Sequence, residues 1–249
     1  MPRRRMLITG ASRGIGRATA LMAASRGWDV AVNYRADAEA AEAVVAGVEA
    51  AGGRAVALQG DITDPEAVAR VFDLAGAALG GLDAVVVNAG IVAPSMPLAE
   101  MTPERLRHVV ETNLLGTLYC AREAARRLPR AASEEAAALV LVSSIAARLG
   151  AAGEYVDYAA AKAGVDTLAL GLAKELAPGN VRVNAVRPGL VDTGIHASGG
   201  RPSRAFDLAP LVPMGRPGRA EEVAELILWL CSPAASYVSG AVMEVAGGR

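Results

Sequence analysis

The stretch MLITGASRGIGRATALMAASR (residues 6–26) decides how the rest of the chain is read. It opens on a short apolar run, MLITG (6–10), and continues from Gly14 to Arg26 as an amphipathic helical pattern. Between them lies ITGASRGIG, with glycines at 10, 14 and 16. A backbone that turns this sharply between a strand and a helix leaves uncapped N–H groups at the helix start. Without Cβ atoms in the way, a pyrophosphate can approach those groups closely. Glycines alone only mark a turn; their place between a strand and a helix makes the segment a dinucleotide cradle.

Working outward, the same alternation repeats to the end of the chain. Strand-like runs follow at DVAVNY (29–34), RAVALQGD (54–61), LDAVVVNAG (82–90), ALVLVSS (138–144), VRVNAVRPG (181–189) and AVMEVAG (241–247). Helical patterns separate them, up to residues 51 and 78 and over about 102–130, 155–177 and 219–231. The runs are near-continuous Val, Leu and Ile rather than alternating, as burial on both faces requires. The expectation is an α/β fold of one Rossmann-type doubly wound domain, residues 1–249, with a seven-stranded parallel sheet and helices on both faces. Residues 192–217 break the pattern, with Gly199, Gly200 and prolines at 202, 210, 213 and 217. Such a stretch in a compact domain is expected to be a substrate loop or lid.

Composition narrows the function. Charges nearly cancel, with 25 basic against 26 acidic residues, so no nucleic-acid partner is expected. The PRRR segment at 2–5 lacks the apolar stretch of a signal peptide, and no apolar run approaches the roughly 20 residues that span a bilayer. Cys120 and Cys231 lie far apart in apolar helical patterns, and His108 and His196 lack ligand spacing. Two buried thiols, no metal and a cytoplasmic setting are the expectations.

The segment EYVDYAAAKAG (154–164) carries the chemistry. On a helix Tyr158 and Lys162 are i, i+4 neighbours, about 6 Å apart along the axis, whereas Tyr155 and Lys162 are separated by about 10 Å. A free phenol with a pKa of about 10 is a poor acid/base near neutrality, and a nearby ammonium favours its ionised form. Tyr158 is therefore the better-coupled tyrosine. Tyr155 is left as a wall of the substrate pocket.

The ordered set Thr9-Gly10-x-x-x-Gly14-x-Gly16, Asp61, Asn88-Ala89-Gly90, Asn113, Tyr158-x-x-x-Lys162 and Pro188-Gly189 resembles the short-chain dehydrogenase/reductase family, in its branch of about 250 residues, over essentially the whole chain. RVNAVRPGLVDTGIHASGG (182–200) and VAGG (245–248) look like its bacterial sugar- and alcohol-dehydrogenase-like members. The resemblance implies hydride transfer between a nicotinamide cofactor and a small-molecule carbonyl or alcohol substrate. It implies Tyr158 as acid/base and Lys162 as the group that lowers its pKa and binds the ribose. Ser144 would hold the substrate oxygen, with Ser143 as the weaker alternative, and Asn113 would position a water linking Lys162 to solvent. Cofactor contacts are implied for Gly10, Ser12, Arg13, Gly14, Ile15, Gly16, Asn33, Arg35, Asp61, Ile62, Asn88, Ala89, Gly90, Tyr158, Lys162, Pro188, Gly189, Val191 and Thr193. The chain departs from the family at Val87, where an Asn is frequent, and Ser144 lies one residue farther from Tyr158 than is common.

An acidic residue at the end of the second strand would grip a ribose hydroxyl. Here Asn33 stands near that point with Arg35 beyond it and Arg13 in the glycine loop, and basic residues at those two places look like a 2′-phosphate clamp. NADP(H) is expected over NAD(H), which stays possible. A 3-oxoacyl-carrier-protein reductase is an alternative, with Arg126, Arg127 and Arg130 as the basic patch it would need; a dinucleotide-sensing regulator is another. Relatives are commonly tetramers, so a homotetramer is expected.

Overall fold

The computed structural model describes residues 3–249. Seven strands form one parallel sheet in the order β3-β2-β1-β4-β5-β6-β7. They are β1 (Arg4–Ile8), β2 (Trp28–Tyr34), β3 (Ala55–Gln59), β4 (Ala84–Val87), β5 (Ala137–Val142), β6 (Val181–Pro188) and β7 (Val242–Val245). The Rossmann-type expectation is met, down to the reversal of strand order between β1 and β4.

Successive strand residues serve opposite faces, which is why the runs are apolar throughout. Leu7, Val85, Leu139 and Val183 pack with Phe72, Cys120 and Val165 from α3 (Pro65–Leu79), α5 (Gly116–Arg127) and α7 (Val156–Leu176). Met6, Ile8, Val86 and Val140 face the other way, against Ala20, Val44 and Ile227 from α1 (Gly14–Ser25), α2 (Ala38–Ala50) and α10 (Ala220–Cys231). Cys120 and Cys231 are free and buried in opposite layers, and burial pushes both thiols up to about 12. At the N-terminal edge of the sheet, Asp83 accepts hydrogen bonds from Arg5 and Arg130 and is held down to about 2 despite burial.

The structure refines three expectations. β1 spans Arg4–Ile8, earlier than the apolar run implied, because Thr9 and Gly10 already belong to the turn. The helical region before β5 is continuous but changes hydrogen-bond register part-way. α4 (Pro103–Val110) passes through a π-helical turn at Glu111–Leu115 before α5 begins. Residues 192–217 hold short helical segments, α8 (Ile195–Ser198) and α9 (Arg204–Asp207) with a 3-10 turn at Ala209–Leu211, rather than an irregular loop. A further single-turn helix, α6 (Ala146–Leu149), follows β5. No helix among the described residues is long and apolar enough to cross a membrane.

Candidate active site

A cavity of about 450 Å³ follows the C-terminal ends of β1, β2, β4, β5 and β6, across the point where strand order reverses. At one end lies the glycine loop. Gly10 has φ +61°, and a Cβ there would stand 2.9 Å from the Ala89 Cα. A Cβ at Gly16 would lie 2.5 Å from the Gly10 carbonyl oxygen and 2.7 Å from the Asn88 amide nitrogen. Asn88 Nδ2 donates to the Thr9 and Gly10 carbonyls at 3.0 and 3.1 Å, and Thr9 Oγ1 accepts from the backbone of Asn88 and Ala89. The turn is thus locked to the end of β4. No side chain caps the start of α1 and its first turn holds no acidic residue, so its N–H groups face the cavity unopposed. Thr193 closes over Gly14, and Ser12 and Ile15 complete the loop wall. This cradle fits the pyrophosphate of a dinucleotide.

Beyond the loop, Arg13 and Arg35 both line the cavity. The Arg35 guanidinium is exposed and 4.0 Å from the Asp61 carboxylate. Asp61 also accepts from the Thr63 backbone and hydroxyl, so half of its acceptor capacity holds a turn. Asn33 lines the cavity, but with its amide nitrogen turned into the sheet. It is 2% exposed, and its Nδ2 donates to the carbonyls of Leu58 and Gly60, sealing the ends of β2 and β3. Ile62 is buried, packed beneath Gly116, and reaches the cavity with one edge.

At the end of β5 the two serines divide. Ser143 Oγ is buried and donates to the Lys162 carbonyl at 3.0 Å, bracing α7. Ser144 faces the cavity beside the Tyr158 hydroxyl. The start of α7 is held by Arg105, whose guanidinium pairs with buried Asp157 at 3.0 Å, while Asp157 accepts from the Tyr158 backbone N–H at 2.9 Å. Lys162 is 3% exposed and its Nζ donates to the Val142 carbonyl at 2.8 Å. Asn113 sits on the π turn, fully buried. Its side chain donates to the Ile91 and Val109 carbonyls and accepts from the Ile91 backbone. Gly90 lets these groups meet: a Cβ there would be 2.8 Å from Asn113 Oδ1 and 3.4 Å from Lys162 Nζ. Pro188, Gly189 and Val191 line the wall after β6.

Burial pushes the Tyr158 phenol upward, and a hydrogen bond with Ser144 pulls it partly back. This is opposite to the direction expected from Lys162, because desolvation dominates here. Burial also holds the Lys162 ammonium down to about 8, opposed by Asp166 one turn along α7.

The family model described as enoyl-(acyl carrier protein) reductase matches residues 10–249. The chain is 47% identical over 243 residues to the uncharacterized oxidoreductase YgfF of Escherichia coli strain K12, covering 98% of each. The chain belongs to the short-chain dehydrogenase/reductase family. It is an oxidoreductase of that family. It is also 43% identical over 242 residues to the cis-4-hydroxycyclohexanecarboxylate dehydrogenase of Sinomonas cyclohexanicum, covering 97% of this chain and 94% of that one. A short-chain dehydrogenase of Burkholderia cenocepacia J2315, solved in complex with NADP, superposes with a TM-score of 0.90 at 35% identity, covering 98% and 97% of the two chains.

The arginines read as a basic patch for a carrier protein each pair with an acidic side chain of this chain. Arg126 and Arg127 both pair with Glu123, Arg127 also with Asp73, and Arg130 with Asp83. The opposite end of the cavity carries His196 and Arg204 from the expected 192–217 substrate loop, with Glu154 and with Arg249, which sequence reading did not mark, beside Tyr155. They come from separate elements, and only Tyr155 and Glu154 adjoin the motif that drew attention.

Proposed function

We propose that the enzyme interconverts a carbonyl compound and the corresponding secondary alcohol with NADP(H), using Tyr158 as the acid/base. The observation that supports this is the meeting of Ser144, Tyr158, Lys162 and Gly90 in the cavity that also holds the glycine cradle, with Asn113 buried directly behind Gly90. The bound nicotinamide supplies or accepts the hydride.

The chain's own residues supply the rest. In reduction, Tyr158 gives its hydroxyl proton to the carbonyl oxygen. Ser144 hydrogen-bonds the same oxygen and so fixes the substrate against the phenol. Lys162, tethered to Val142, holds its Nζ toward Gly90, where it binds the ribose hydroxyls and steadies the phenolate that remains. Asn113 orients a water that returns a proton to this group. Arg13 and Arg35 clamp the 2′-phosphate, the arrangement that favours NADP(H) over NAD(H). The working form is a cytoplasmic homotetramer.

The test is consumption of NADPH by the purified chain with ketones, aldehydes, sugars, steroids, acyl thioesters and cyclic oxo acids, the last prompted by the Sinomonas relative's name. At least one ketone class is expected to be reduced faster with NADPH than with NADH. No carbonyl-dependent oxidation anywhere in the panel overturns the reading.

A further inference from the structure

The cavity end beyond Tyr158 has an unbalanced charge. Arg204 on α9 is buried, its guanidinium carbon 5.1 Å above the centre of the Tyr155 ring. One of its terminal nitrogens pairs with Glu154, which also takes Arg201 at 3.5 Å. Arg249 lines the same end, feels both Arg204 and Glu154, and has no carboxylate partner among the described residues. Two cavity-lining guanidiniums therefore face one carboxylate that is already shared with a third arginine. His196 adds no charge here: its Nε2 is bound to the Val191 carbonyl, and burial pushes its pKa down.

The second observation is an unpaired donor. Arg204 Nε is buried and has no hydrogen-bond partner. Buried polar groups are rarely left so, because each costs about 1–3 kcal/mol. A guanidinium that lies over an aromatic ring and keeps an unpartnered N–H has donor capacity left for a carboxylate. Tyr155 is the N-cap residue of α7, three residues before Tyr158. Arg204, Tyr155 and Tyr158 line one cavity, so an acceptor at Arg204 would share the space of the reacting oxygen without being the reacting group.

We propose that the substrate carries a carboxylate, that Arg204 with Arg249 binds it, and that the enzyme acts on oxo acids and their hydroxy acids. This deepens the carbonyl/alcohol reading of the site and rests on it for the reaction but not for the binding. Glu154 holds Arg204 in place when no acid is bound and competes with the acid for it.

The experiment has a kinetic and a binding arm, both on the full chain. NADPH-dependent reduction of 3- and 4-oxocyclohexanecarboxylate is compared with that of their methyl esters. Calorimetry with NADPH present compares cyclohexanecarboxylate with cyclohexanecarboxamide. The acids are expected to exceed the esters in kcat/KM, and the carboxylate to bind more tightly than the amide, each by about tenfold or more. Arg204→Gln should lower kcat/KM for the acids at least about tenfold more than for the esters. Glu154→Gln should move the acid-to-ester ratio the other way. A purely structural pair would make both variants lower acid and ester alike, and that result overturns the proposal. So do equal rates for acids and esters, or equal binding of carboxylate and amide. Tight carboxylate binding lost in Arg204→Gln, without turnover of any ketone, would remove the hydride-transfer reading and the oxo-acid reaction with it, and leave the carboxylate site standing.

Discussion

Lys162 Nζ donates to the Val142 carbonyl at 2.8 Å, so the buried ammonium of α7 is tied to the last residue of β5. That single bond does not repay its desolvation, which holds the group down from 10.5 to about 8. Because the folded value lies below the unfolded one, the folded state carries a penalty that is complete below about pH 8. The penalty fades as pH rises toward 10.5, and amounts to about 3 kcal/mol at neutrality. The stability of the wild type relative to Lys162→Met should therefore improve between pH 7 and pH 10. Thermal melts of both proteins across that range check it, and parallel curves would contradict the assignment.

Tyr158 and Tyr155 separate cleanly by substitution. Tyr158→Phe removes the proton donor and should lower kcat by about 10²–10⁴-fold while the dissociation constant for NADPH stays within a few-fold. Tyr155→Phe keeps the ring beneath Arg204 and should retain most activity. Steady-state kinetics and a fluorescence titration of cofactor on each variant suffice; reversed phenotypes would move the acid/base role to Tyr155.

Cofactor choice is argued from Arg35 and Arg13. Arg35 is exposed and only loosely paired with Asp61, leaving its charge available. Arg35→Ala should weaken NADPH binding by about tenfold with little effect on NADH, and the double variant with Arg13→Ala should weaken it further. Tight NADH and weak NADPH binding by the wild type would reverse the preference.

The strands were legible because burial on both faces leaves continuous apolar runs, and the glycine loop because its turn demands glycine. Other features left no comparable mark. The π turn at Glu111–Leu115 lies inside an unbroken helical pattern, and the resemblance alone singled out Asn113. Asn33 sits at a strand end, where sequence cannot say whether an amide faces the cavity or seals the sheet; here it seals. Adjacent serines at 143 and 144 follow strand alternation past the end of β5, so one braces Lys162 and the other meets Tyr158. Glu154 and Arg204 lie 50 residues apart and are joined only by the path of the chain after β6.

Gly90 gives the most direct test of the convergence around Lys162. Its backbone needs no unusual conformation, so only space decides the outcome of Gly90→Ala. The new Cβ would lie 2.8 Å from Asn113 Oδ1, and Asn113 cannot simply swing away because the Ile91 and Val109 backbones hold its amide. Relief must come from moving the Asn113–Ile91 pair or from pushing Lys162 off its tether to Val142. Overpacking of this kind costs about 1–3 kcal/mol. Stability should fall by that amount, and kcat should fall for acid and ester substrates together, since the disturbance is at the proton relay rather than at Arg204. Gly76→Ala is the matched control: it lies within α3 with no atom near its Cβ position, and it should stabilise by about 0.4–1 kcal/mol without touching turnover. A Gly90→Ala protein with wild-type stability and kcat would mean that Asn113 and Lys162 have slack the geometry denies them.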